Sequence, residues 1–142
     1  MTTLAAAWRD ARARDPDFAR VRWNRPVQVD TTTLDALIEQ FGVPAFMKID
    51  VEGSEPAVLA GLTHVVPALS FEYLPRALDQ AQASLARLTT LGRYSFNWSP
   101  GESCRFASSS WLNERELLES LRTPDAQRRP GDIYARIAGR SQ

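Results

Sequence analysis

Two short stretches ending in acids carry most of the chemistry this sequence can offer. Phe46-Met47-Lys48-Ile49-Asp50-Val51-Glu52-Gly53-Ser54-Glu55 reads as a strand running into a tight turn, and Ser70-Phe71-Glu72-Tyr73 closes a second strand. The two-residue period of a strand puts Phe46, Lys48 and Asp50 on one face and Met47, Ile49 and Val51 on the other. A lysine and an aspartate on one face of a central strand cannot both be buried unpaired, because an isolated interior charge costs several kcal/mol. They must pair, or Asp50 must open onto a cleft; a structural ion pair with a helix cap at Ser54 accounts for the same residues. Ser70 and Glu72 share a face of the second strand. If the two strands are neighbours, Asp50 or Glu52 lies beside Glu72 at the carboxyl edge of the sheet. Such acids raise one another's pKa, orient a hydroxyl or hold a divalent cation; a solvent-facing strand end also accounts for Glu72.

Other polar residues carry less. Asn97 and the Gly101-Glu102-Ser103 turn follow a third strand and form either the wall of a substrate cleft or a polar turn between strands. His64 has no nucleophile or base near it in sequence and reads as a surface histidine. Cys104 reads as a small core or near-surface residue, and the four tryptophans (8, 23, 98, 111) as packing residues.

The elements that must position these residues follow from periodicity. Leu4, Ala7, Trp8 and Ala11 suggest a first helix capped by Thr2 or Thr3, and Val21, Trp23, Val27 and Val29 an edge strand or extended connection around Pro26. Leu34, Leu37, Ile38 and Phe41 fall at i, i+3, i+4 and i+7 of a helix, with Thr32 and Asp35 as a capping-box-like pair and Gly42 as its stop. Strands are expected at 45–51 and 67–73, the first followed by a helix in which Ser54 caps, Pro56 lies in the first turn and Val58, Leu59 and Leu62 face inward. The second is followed by a helix from about Pro75 to Leu91. A strand at 93–98, a helix at 113–122 and a strand at 132–138 complete the chain. Alternating strands and helices predict a parallel, doubly wound α/β sheet, whose ligands bind outside the carboxyl ends of the strands.

Composition narrows the partners. The 142 residues are 44% hydrophobic and 24% charged, the profile of one soluble globular domain. Seventeen basic residues balance seventeen acidic ones, so neither nucleic acid nor an anionic membrane is an expected partner. One cysteine and one histidine allow no disulfide and no cysteine-based zinc site, and no apolar run approaches the ~20 residues of a membrane span, so a cytoplasmic location is expected. Sixteen of the seventeen basic residues are arginine, which singles out Lys48. The seven glycines are scattered, with no glycine-rich loop to bring backbone close to a cofactor.

Three segments in combination resemble the FkbM family of S-adenosylmethionine-dependent methyltransferases. They are Thr32-Thr33-Leu34-Asp35-Ala36-Leu37-Ile38, the run from Lys48-Ile49-Asp50-Val51-Glu52-Gly53-Ser54-Glu55 to Gly61, and Pro67-Ala68-Leu69-Ser70-Phe71-Glu72. Leu91-Gly92-x-Tyr94-x-Phe96-Asn97, Gly101-Glu102-Ser103 and Gly131-Asp132-Ile133-Tyr134-Ala135-Arg136 extend the resemblance. It implies the C-terminal half of a Rossmann-like class I methyltransferase sheet, strands four to seven with the last antiparallel, flanked by helices. It also implies catalytic roles for Lys48, Asp50 and Glu52: Asp50 or Glu52 would orient or deprotonate an acceptor hydroxyl, and Lys48, lying deeper, would hold that acid in place. Glu72, Asn97, Glu102 and Ser103 become the substrate-binding candidates, and the acceptor a sugar, polyketide or similar small molecule. The family's D-x-G-A-N-x-G loop, which holds the methionine part of the cofactor, does not occur here, so S-adenosylmethionine is implied but no cofactor-binding residue is assigned, and no metal site is expected.

On this reading residues 1–142 form a single partial domain lacking the N-terminal cofactor-binding strands. It would pair with a missing N-terminal half or form a homodimer through an open edge where Phe46, Met47 and Ile49 are exposed. The alternatives are a catalytically inactive remnant acting as a protein-interaction module, and a metal-dependent hydrolase built on Asp50, Glu52 and Glu72.

Overall fold

The computed structural model describes residues 9, 10, 13, 20, 27–101 and 103–139. The expected first helix and the edge-strand residues Val21 and Trp23 lie outside the described residues, apart from a single turn in which the Ala13 amide bonds the Arg9 carbonyl. Val27 and Val29 are exposed and belong to no strand.

Helix α1 spans Leu34–Phe41, strand β1 Met47–Ile49, helix α2 Glu55–Ala60, strand β2 Ala68–Tyr73 and helix α3 Leu78–Leu91. Strand β3 spans Tyr94–Pro100, helix α4 Glu114–Leu121 and strand β4 Gly131–Ile137, with 3-10 turns at Pro75–Ala77 and Ala126–Arg128. The sheet order is β1-β2-β4-β3; β1 and β2 are parallel, and β4 runs antiparallel to both its neighbours.

This differs from the parallel, doubly wound sheet expected from periodicity. Each β-α-β crossover from β1 to β2 and from β2 to β3 moves along the sheet in the same direction, and right-handed crossovers that never reverse direction put their helices on one face. Ile38 of α1, Leu59 of α2, Leu85 and Leu88 of α3, and Leu117 and Leu121 of α4 accordingly form one core. They pack with Ile49, Leu69, Phe71, Tyr73, Phe96, Trp98, Ile133 and Ala135, the residues of one face of the sheet. The other face alternates into Lys48, Ser70, Glu72, Asn97, Ser99, Asp132, Tyr134 and Arg136.

Local rules explain most element ends. Asn113 and Glu116 form a reciprocal capping box on α4, and Gly42, at φ 85°, stops α1 with its amide on the Ile38 carbonyl. The cap of α1 is Thr33, whose hydroxyl accepts from the Ala36 amide, rather than the expected Thr32–Asp35 pair. Asp35 turns away to accept from the Thr63 amide and hydroxyl, both at 2.7 Å, and to meet His64 Nδ1 at 3.0 Å. These bonds hold its carboxyl well below the usual carboxylate range. The apolar stripe of α1 is only half used: Ile38 is buried, while Leu37 and Phe41 are exposed. Among the described residues no helix is long and apolar enough to cross a membrane.

Candidate active site

The carboxyl ends of β1, β2 and β3 and the start of the reversed β4 meet at one edge of the sheet. A cleft of about 220 Å³ opens there, lined by Lys48, Asp50, Glu72, Gly101, Pro130, Gly131 and Asp132. Glu72 lies opposite Asp132 in the β2–β4 register, and Lys48 is opposite Ser70 in the β1–β2 register. Lys48 Nζ reaches past the small Ser70 to Asp132 Oδ1 at 3.5 Å and lies 3.8 Å from Asp50 Oδ2. Its side chain is 53% exposed, so it does not lie deeper as expected, and its nearer partner is Asp132. Partial desolvation works against the ammonium, but the attraction of Asp132 and Asp50 outweighs it and raises the Lys48 pKa.

Strand β1 ends in a strained turn. Glu52 adopts φ 52°, a left-handed conformation uncommon for a side-chain-bearing residue, and Gly53 follows at φ 90°. The expected cap is replaced: Ser54 makes no side-chain cap bond, and the carboxylate of Glu55, itself only 4% exposed, accepts from the amides of Val51 at 3.3 Å and Gly53 at 3.2 Å. These bonds order the turn that follows Asp50, a residue of the cleft lining, and that contains Glu52.

The electrostatic centre is Glu72. Burial raises its pKa, and the neighbouring charges of Glu52, Asp50, Glu55 and Asp132 add to that, so that Glu72 is pushed up to about 7. Burial, with Asp50 and Glu55 behind it, also raises Glu52. A carboxyl poised near neutrality beside an open cleft can take a proton from a hydroxyl and return it, which is the requirement for a general base.

Of the expected site residues, the fold brings together Lys48, Asp50 and Glu72 in the cleft, with Glu52 electrostatically coupled to them. Asn97 does not line it: the side chain is 1% exposed, donates to the carbonyls of Ser108 and Ser110, and accepts from the amides of Trp98 and Ser108. That set of bonds pins the 108–110 segment to β3. Ser103 bonds Ser99 Oγ at 3.2 Å instead of lining the cleft, and Glu102 lies outside the described residues. Sequence reasoning missed Asp132 and Glu55. Asp132 is visible only through the antiparallel register, whereas the position of Glu55 two residues after Gly53 was a readable signal for a turn-capping carboxylate. Gly131 closes the cleft floor, where a Cβ would collide with the Ser99 carbonyl.

A family model described as the methyltransferase FkbM domain matches residues 5–115. The chain therefore belongs to the FkbM methyltransferase family. The match covers β1, β2, β3 and the turn with Glu52, and ends before Asp132. No curated protein matches the sequence.

The family implies S-adenosylmethionine, and the described residues do not fit the whole of it. The cleft is smaller than the ~300–1,000 Å³ of sites that enclose ligands of that size. In the turn between β1 and α2, the amides of Val51 and Gly53, which could face a ligand, are taken by Glu55. Among the described residues, no three His, Cys, Asp or Glu side chains come together in a metal-holding arrangement.

Proposed function

We propose that this chain is the acceptor-side half of an S-adenosylmethionine-dependent O-methyltransferase, holding a small hydroxyl-bearing molecule in the acidic cleft, with Glu72 as the base that removes the hydroxyl proton. The observation that carries the reading is the coincidence of a carboxyl near pKa 7 with a solvent-open cleft at the carboxyl edge of the sheet. The strand order β1-β2-β4-β3, with only β4 reversed, supports equating these strands with the fourth, fifth, seventh and sixth of a class I methyltransferase sheet. Asp50 and Glu52 hold Glu72 in its basic range by their charge, and Lys48 offsets the negative field at the cleft mouth. Four carboxylates around one ammonium favour a neutral or cationic acceptor, such as a sugar or polyketide alcohol, over a phosphorylated one. The cofactor belongs to a polypeptide segment that carries the family's glycine loop, in a longer chain or a separate one.

The 142-residue chain is expected to bind S-adenosylmethionine more weakly than ~1 mM by calorimetry; tight binding would overturn the division of labour. Supplied with a polypeptide bearing the D-x-G-A-N-x-G loop, it should transfer radiolabelled methyl to a polyol. Glu72→Gln should then lower kcat by about 10²–10⁴-fold, the range for loss of a general base. The rate should rise through pH 7 and level off above it, because a base acts ionised; a pH-independent rate would count against Glu72.

A second reading has its own observation. β1 ends the strand order, so its outer edge has no pairing strand among the described residues, and Phe41, Val43 and Phe46 are half or more exposed. An interaction module would dock a second copy, or a polypeptide bearing the family's glycine loop, there. Ile49 does not belong to that surface, since it is buried in the core at 3% exposure. A complex that survives Asp50→Ala in a chain showing no transfer favours this module over the enzyme.

A further inference from the structure

Glu72 stands between two spaces. Outward lies the cleft; inward lies a cavity of about 10 Å³ lined by Glu55, Glu72, Leu74, Ala77, Gln80, Ala81 and Ser84. Ser84 sits on the sheet-facing side of α3, fully buried, and its hydroxyl oxygen has no hydrogen-bond partner among the described residues. A buried hydroxyl left without a partner is costly, so native proteins satisfy nearly all of them, with ordered water where no side chain reaches. The cavity is the size of one water molecule; Ser84 offers it an unpartnered hydroxyl, and the polar residues Glu55, Glu72 and Gln80 also line it, against the two to four polar partners such a water needs.

We propose that this cavity is a binding site for one water molecule, and that Ser84 is a positioning residue that acts on Glu72 through it. The inference rests on the reading of Glu72 as the acceptor base. A water both donates and accepts. It donates to the Glu72 carboxylate when that group is ionised and accepts from the carboxyl when it is protonated, while Ser84 anchors it from the helix side. Glu72 thus keeps an inner hydrogen bond in both states and offers its other oxygen to the cleft. The charged groups facing Glu72 are Asp50 and Glu52 from the turn after β1, Glu55 from α2, Asp132 from β4, and Lys48 across the cleft. The two polar side chains that α3 brings to the cavity, Gln80 and Ser84, are neutral.

The test uses isotope-labelled 142-residue chain in three forms: unchanged, Ser84→Ala and Ser84→Val. Water contacts at the Ala81 and Ser84 amides are read by nuclear Overhauser transfer, and Glu72 is titrated by its side-chain carboxyl ¹³C shift. The unchanged chain should show a long-lived water contact. Ser84→Val fills the cavity, abolishes the contact and raises the Glu72 midpoint by about half to one pH unit, because the ionised form loses a donor. Ser84→Ala weakens the contact and moves the midpoint less, and decides the matter should the valine variant fail to fold. No water contact in the unchanged chain, or a midpoint that stays put when the contact is lost, overturns the proposal. Neither readout depends on methyl transfer, so a water site found intact in a protein whose activity survives Glu72→Gln would sink the base and leave the water site standing.

Discussion

β1 and β2 run parallel in adjacent positions, and both feed acids to the same edge of the sheet, yet the two ends behave differently. The β1 end is a turn: Asp50 is about half exposed beside Lys48, and Glu52 is held at positive φ by the bonds that Glu55 makes below it. The β2 end is a ladder: Glu72 is fixed opposite Asp132 by the antiparallel register and has no cation among the main influences on its ionisation. Equal residue types thus acquire unequal chemistry. The exposed acid lies against a neighbouring ammonium, whereas the other is partly buried and collects the repulsion of the carboxylates around it, and both effects raise its pKa.

The largest effect expected is on the turn itself. Glu55→Ala leaves the amides of Val51 and Gly53 without their charged acceptor, and should destabilise the fold by about 2–3 kcal/mol in urea denaturation. A loss below 1 kcal/mol would show that the turn orders itself without Glu55.

Next comes the pH dependence of Glu72. Its carboxyl ionises near 4.5 in the unfolded chain and near 7 in the fold, so the folded state holds its proton longer. Its contribution to stability is complete below about 4.5, declines as pH rises through 7, and is gone above that. The full difference corresponds to about 3 kcal/mol, reduced to about 1–2 kcal/mol because the group keeps part of its solvent contact. Glu72→Gln should therefore be more stable than the unchanged chain at pH 8 by about that amount and nearly equal at pH 4. Asp35 has the opposite sign: its depressed pKa gives stability that is present above the ordinary aspartate value and lost on acidification. Chevron or urea midpoints taken across pH 3–8 separate the two.

A finer distinction lies within the β1 end. Glu52 precedes Asp50 among the charges that raise Glu72, so Glu52→Gln should lower the Glu72 midpoint more than Asp50→Asn does, as read by carboxyl ¹³C titration. The reverse order would place Asp50, not Glu52, as the closer influence. The smallest effect belongs to Lys48→Met, since exposed ion pairs are worth about 0–1 kcal/mol; a larger loss of stability would mean that the Lys48–Asp132 pair braces the sheet.

The secondary structure was largely legible in the sequence. Leu117, Leu118 and Leu121 with Asn113 before them specify α4 and its start, and Gly42 and Gly92 mark where α1 and α3 stop, because periodicity and backbone conformation are local properties. Phe41 shows the limit: the same periodicity puts it on one apolar stripe with Ile38, but burial depends on what lies opposite, and α1 meets the core chiefly through Ile38.

By itself the sequence determined which acids end which strands, that Lys48 stands alone among arginines, and the family combination of Lys48 to Glu55 with Phe71-Glu72. Only the tertiary structure decided that Asp132 faces Glu72, that Asn97 is spent on pinning a loop, and that Glu55 is buried under the turn. The physical reason is range. A strand's alternation and a helix's stop are set by neighbours along the chain, while the register that opposes two carboxylates across 60 residues, and the burial that shifts one of them, exist only once the strands have paired.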